Sequence, residues 1–153
     1  SKPVNFAEVD FDELVKAHLN DFQVLNKSRI VTTEIPDDCF VQGSREHLSR
    51  LIQNCLSNIL RHTPSDAPVS VSLRNIGKRA ELKIEDGGPG LPESAYGSEI
   101  KFMNRFDPSR SRESGGSGLG LSIIAAIVQE HNGQLELSKS QLGGLAVTIR
   151  IPN

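Results

Sequence analysis

Long apolar runs, metal-type cysteine spacings and concentrated positive charge are all missing from this sequence, and each absence removes a class of function. No stretch approaches the roughly 20 apolar residues that cross a bilayer. The N-terminus also lacks the charged-then-apolar pattern of a secretory signal, so no direct membrane contact is expected of this segment, and any anchor is expected in sequence outside it. Only two cysteines occur, Cys39 and Cys55, with no CxxC and no Cys/His spacing for a metal. On their apolar-patterned segments they read as reduced core thiols, which favours a cytosolic setting. The 17 Lys and Arg nearly balance 19 Asp and Glu, for a net charge of -2, and the basic residues are scattered except around Arg105–Arg112. That argues against nucleic acid as a partner. At 153 residues, 37% of them hydrophobic, the chain suits one domain, 1–153, with no internal repeat.

What is present is a succession of short strands and amphipathic helices. After a first strand expected around Val4–Val9, Asp10 and Glu13 stand in N-cap and N3 relation ahead of Phe11, Leu14, Val15, Leu19, Phe22 and Leu25, the pattern of a capped helix. Ile30–Ile35 and Cys39–Val41 read as strands, the first rich in β-branched residues. Ser44 is a candidate N-cap, and Leu48, Leu51, Ile52, Cys55 and Ile59 recur at helical steps until Pro64. Val69, Val71 and Leu73 alternate, Gly77-Lys78 turns the chain, and Leu82 and Ile84 alternate up to Asp86, which reads as a hairpin. Gly87–Gly120 is rich in Gly, Ser, Pro and Arg, and a loop of that length is usually functional or mobile. Leu119–His131 reads as a helix with Ile123, Ile124, Ile127 and Val128 inward and Asn132-Gly133 as its cap. Strands Gln134–Ser138 and Leu145–Ile151, joined through Gly143-Gly144, complete an α+β sandwich.

Three constellations carry chemistry. Asn54, Asn58, Arg61 and His62 recur at steps of four and three, which places them on one helical stripe roughly opposite the apolar one. An Asn oxygen is a neutral, hard ligand suited to Mg²⁺, and a nearby Arg offsets phosphate charge; taken alone, a solvated face with two incidental amides is the plainer reading of the same stripe. Asp86-Gly87-Gly88-Pro89-Gly90 sits where a strand ends, so the carboxylate can accept from an exocyclic amino group such as adenine's. A tight turn is the plainer reading of those letters. Gly115–Ser122 runs into a helix, whose unpartnered first-turn N–H groups and positive dipole end suit phosphate. It is neither a Walker A loop nor a G-x-G-x-x-G dinucleotide fingerprint.

Together these segments resemble the ATP-binding boxes of bacterial sensor histidine kinases. Asn54–Pro64 looks like the N box, Asp86–Pro92 like the G1 box and Gly116–Ser122 like the G2 box, in the family's order and spacing, and the resemblance covers nearly the whole chain. It implies the Bergerat ATP-binding fold shared with gyrase, heat-shock chaperone and mismatch-repair ATPases: a two-layer α/β sandwich of α+β class, with a mixed, mostly antiparallel sheet against about three helices and a mobile ATP lid. It further implies ATP and Mg²⁺ as ligands. Asn58 would hold the metal, Asn54 would lie near the phosphates, Arg61 would touch phosphate and His62 would flank the nucleotide. Asp86 would hold the adenine amino group, Gly88, Gly90 and Leu91 would shape the pocket, and Gly116, Ser117, Gly118, Leu119, Gly120 and Leu121 would wrap the phosphates. Lys101–Phe106 resembles the F box, with Phe102 or Phe106 as its aromatic anchor and Arg105, ahead of Arg110 and Arg112, as the residue reaching the terminal phosphate. Gly43-Ser44 departs from the Gly-Asp usual before the N-box helix.

Hydrolysing relatives carry Glu four residues before the metal-binding Asn, where this chain has Asn54, and an amide cannot act as a general base. Transfer remains open, because it depends mainly on positioning and charge stabilisation. The family's acceptor is a His followed by Glu or Asp, and His18, His47, His62 and His131 all fail that pattern. The expectation is therefore a catalytic domain that binds ATP and needs a histidine from a separate dimerisation domain, for relay to a cognate response regulator. The setting expected is a cytoplasmic domain of an inner-membrane sensor. A serine kinase of the same fold, like the anti-sigma-factor kinases, and a noncatalytic docking module are the alternatives.

Overall fold

The computed structural model describes residues 5–96 and 117–153. Val4, Phe102, Arg105, Phe106, Arg110, Arg112 and Gly116, with the rest of the expected lid, lie outside them.

Strand β1 (Ala7–Asp10) runs directly into helix α1 (Phe11–Leu25). Asp10 caps that helix, its Oδ1 accepting from the Glu13 N–H at 3.2 Å. Helix α1 buries Phe11, Leu14, Val15, Leu19 and Phe22. Leu25 departs from the expected apolar stripe and is 81% exposed, because it is the last helical residue, beyond the reach of the core. Strand β2 (Val31–Glu34) is shorter than expected at both ends, and β3 (Phe40–Gly43) pairs antiparallel with β1 in a separate two-stranded sheet. Ser44 then caps α2 (Arg45–His62), its hydroxyl accepting from the His47 N–H at 3.2 Å.

The main sheet has five strands in the order β2-β4-β5-β7-β6, made of β2, β4 (Val69–Ile76), β5 (Arg79–Asp86), β6 (Gln134–Lys139) and β7 (Leu145–Pro152). Only β2 against β4 is parallel. Period-2 alternation lines up apolar rows across the inner face: Val71, Ile84, Val147 and Leu137 in one, Leu73, Leu82, Ile149 and Leu135 in the next. The outer face carries a charged row. Arg74 and Arg150 each hold Glu81 at 3.0 Å, and Arg150 also reaches Glu136 at 3.0 Å.

Helix α3 (Ser117–Glu130) packs on α2, whose other side meets α1. It ends at the expected cap: Asn132 takes the left-handed conformation (φ 55°), while Gly133 donates to the Val128 carbonyl at 2.9 Å. Its inner stripe is Leu121, Ile124, Ala125, Ile127 and Val128, whereas Ile123, expected inward, is 43% exposed. One residue displaced from Ile124 is about 100° around the helix, which turns it out of the stripe. Past the helix end, the buried His131 ring stacks on Phe6 at 4.7 Å. Its Nδ1 lies 2.8 Å from the Ile127 carbonyl and its Nε2 accepts from the Ser44 N–H at 3.1 Å. A carbonyl only accepts and an N–H only donates, so the ring is held as the neutral Nδ1–H tautomer. The end of α3 is thereby tied to the start of α2.

Candidate functional site

The inward alternation of β5 places Ala80, Leu82, Ile84 and Asp86 on one side of the strand, so the aspartate ends an apolar row and faces the same interior. It is 7% exposed. Its Oδ1 accepts from Gly88 N–H at 2.9 Å and Leu145 N–H at 3.3 Å, and its backbone carbonyl accepts from Gly144 N–H at 3.1 Å. No cation pairs with this carboxylate among the described residues. The hydrogen bonds from backbone N–H groups hold its orientation while Oδ2 takes none of them.

In front of Asp86 lies a cavity of about 460 Å³. One wall is α2, through Cys55, Asn58, Ile59 and His62; another is the turn after β5, through Gly90 and Leu91; Leu121 and Ile124 of α3 close a third. Among the described residues Asp86 is its one carboxylate, set among mainly aliphatic groups, a combination suited to a flat ligand with an amino group to donate. Cys55 at the wall is inert: burial pushes its thiol up to about 12.

The structure brings Asn58, His62, Asp86, Gly90, Leu91 and Leu121 to this one cavity. Asn54 and Arg61 do not line it. The polar stripe of α2 was expected opposite the apolar one; instead Asn54, Asn58 and His62 are half-buried at its border and Arg61 is exposed. At about 100° per residue His62 falls nearest Cys55 and Ile59 and Arg61 falls farthest away, so a common step of three and four does not give a common environment. Burial leaves Asn54 Nδ2 and His62 Nε2 without partners among the described residues.

Gly88 shapes the site from behind. A Cβ there would meet the Thr63 methyl at 2.5 Å. Helix α3 begins at Ser117, two residues before the expected start, so Ser117, Gly118, Leu119 and Gly120 form its first turn and not an approach loop. Leu121 lines the cavity, which puts the first-turn N–H groups, the ones a helix cannot pair within itself, within about 6 Å of it along the helix axis.

Sequence reasoning missed Gly144, Thr63 and Tyr96. A Cβ on Gly144 would lie 2.2 Å from Asp86 Oδ1, so only glycine lets this turn close on the carboxylate. The Tyr96 hydroxyl accepts from the Leu91 N–H at 2.7 Å and fixes the rim of the cavity. Gly143-Gly144 was visible only as a turn, and no local signal tied it to Asp86.

Residues 43–153 match the family described as Histidine kinase-, DNA gyrase B-, and HSP90-like ATPase. The signal transduction histidine-protein kinase BaeS of Escherichia coli (strain K12) is 36% identical over 118 residues, 77% of this chain and 25% of its own length. A solved mycobacterial sensor histidine kinase, MprB, is 28% identical with a TM-score of 0.77, covering 97% of both chains. The catalytic domain of histidine kinase ThkA shares the fold at a TM-score of 0.81, with 21% identity and coverage of 97% of this chain and 98% of that one. The chain spans 20–38% of the length of the first curated relatives it matches. With a family match across all but the first 42 residues and an α+β sandwich that agrees with it, the chain belongs to the histidine kinase-, DNA gyrase B- and HSP90-like ATPase family.

Proposed function

We propose that residues 1–153 act as the ATP-binding catalytic unit of a sensor histidine kinase, donating the γ-phosphoryl group of Mg-ATP to a histidine on a dimerisation domain of the same protein, for relay to a response regulator. The observation that carries this reading is the aspartate that meets no cation among the described residues, at the end of an apolar row and facing one cavity with Asn58, His62 and the start of α3. Asp86 accepts a hydrogen bond from the adenine amino group, and Leu91, Leu121 and Ile124 enclose the ring. Asn58 offers its amide oxygen to Mg²⁺. A single neutral amide oxygen would serve an ion whose remaining ligands come from water and the nucleotide. Bound Mg²⁺ supplies charge neutralisation on the phosphates. The first-turn N–H groups of α3, Ser117 to Gly120, receive phosphate oxygens; Gly116 of the same box and Arg105, both outside the described residues, are kept as phosphate contacts on the resemblance alone. Arg61 is exposed at the end of α2 and does not line the cavity, so it would meet only phosphate that projects beyond the cavity mouth.

Asn54 has no proton-accepting role in this scheme, so the chain holds ATP intact until an outside nucleophile arrives. No helix of the described residues is long and apolar enough to cross a membrane, and both cysteines are free and buried. The free, buried thiols suit a cytoplasmic unit; an inner-membrane anchor for the parent protein is part of the same proposal and rests on the resemblance to sensor kinases.

The test supplies the chain with γ-labelled Mg-ATP, alone and with the dimerisation domain of its parent. Acid-labile label on the added domain only is expected. Acid-stable label would replace this reading with a serine kinase, binding without any transfer would favour a docking module, and labelling of the chain by itself would overturn the need for an outside histidine.

A further inference from the structure

Outside the motif boxes one buried cation has no evident reason to be there. Arg29, between α1 and β2, is 8% exposed, has no carboxylate partner among the described residues, and leaves its Nε without a hydrogen bond. Burying an unpaired guanidinium is costly, and the negative end of the α2 dipole beside it offsets only part of that cost. Its Nη1 donates to Thr63 Oγ1 at 2.9 Å and to the Ala67 carbonyl at 3.0 Å, so it pins both ends of the loop that leaves α2. The Thr63 hydroxyl gives its proton to the Ile59 carbonyl at 2.6 Å, in preference to the Pro64 carbonyl at 3.4 Å. With its proton given to one partner and a lone pair taken by Arg29, that hydroxyl cannot rotate, and the branched side chain then has one direction left for its methyl. The methyl points at Gly88, where a Cβ would come within 2.5 Å of it. Gly88 N–H in turn donates to Asp86 Oδ1 at 2.9 Å.

We propose that Arg29 is a positioning residue for base recognition: through Thr63 and Gly88 it sets the angle at which the Asp86 carboxylate enters the cavity. The inference rests on the adenine-site reading above. It requires that Arg29 matter to which base is bound more than to whether the chain folds.

Calorimetric titration of the 153-residue chain with Mg-ATP and Mg-GTP, alongside thermal melts, tests this on Arg29→Gln, Arg29→Lys, Thr63→Ser and the Arg29→Gln/Thr63→Ser pair. Arg29→Gln is expected to weaken ATP about tenfold, the worth of one hydrogen bond to a charged group, and to leave GTP unchanged. Arg29→Lys, still able to reach Thr63 Oγ1, is expected to recover part of the loss. Thr63→Ser keeps the hydroxyl and removes only the methyl, which also lines the cavity; a lost wall contact would weaken ATP and GTP alike, so loss of ATP with GTP unchanged carries the test even where Arg29→Gln unfolds. It is expected to lose the same preference, with the double variant no worse than either single one. Unchanged ATP affinity in Thr63→Ser, parallel loss of ATP and GTP, or additive effects in the pair would each overturn the inference. Failure of the unaltered chain to bind any adenine nucleotide would instead strike the adenine-site reading itself, and this inference with it.

Discussion

Strand β5 carries two carboxylates of equal burial, Glu81 and Asp86, both 7% exposed, and they live in opposite circumstances. Glu81 faces the outer side of the sheet between Arg74 and Arg150. Burial pushes its carboxyl up, and the hydrogen bonds and charges of the two arginines outweigh that and hold it below the usual carboxylate range. Asp86 faces inward, meets no cation among the described residues, and is steadied by backbone N–H groups on one oxygen. A charge satisfied by its neighbours is part of the scaffold. One that is oriented but not neutralised is placed for something that arrives from solution, and burial alone does not tell the two apart.

Gly144→Ala breaks the comparison most severely. A Cβ 2.2 Å from Asp86 Oδ1 must displace the carboxylate, so ATP affinity measured by calorimetry should fall about 100-fold or more while Glu81 and its arginines stay in place. Glu81→Gln does the converse. It should cost about 1–2 kcal/mol in urea unfolding, through the loss of its charge-assisted bonds, and leave ATP affinity unchanged. The smallest effect extends the contrast to a buried base. Burial, ahead of the opposing Ile127 hydrogen bond and Glu130, lowers the His131 pKa below its ordinary 6.5, so the neutral ring's contribution is complete above that pH and is lost as pH falls through the lowered value. Melting of the chain should therefore drop between pH 7.5 and 5. In His131→Gln, whose amide offers a donor and an acceptor at any pH, that drop should shrink by about 2–4 °C.

Much of the fold was legible because its signals are local. Asp10 and Ser44 cap their helices through bonds that span three residues, and the hairpin follows from alternation on either side of Gly77-Lys78. At the site, Asp86 and Asn58 were legible as chemical types at recognisable places, and the glycine-led helix start likewise. What escaped was set by contacts between distant stretches: Leu145 reaches Asp86 across 59 residues, and Arg29 reaches Thr63 across 34. The misplacement of Arg61 has a different origin. Steps of three and four spread the four residues over a wide arc, and at about 100° per residue Arg61 lies farthest from Cys55 and Ile59, so the angle already readable from the spacing turns it to solvent.

The central claim, that Asp86 reads the amino group of adenine, is tested most directly by titrating the chain and its Asp86→Asn variant with Mg-ATP and with the purine triphosphate that lacks only that amino group. The account predicts that removing the amino group weakens binding to the unaltered chain about tenfold or more, and that in Asp86→Asn the two ligands bind almost alike. Equal affinity of the unaltered chain for both triphosphates would contradict it.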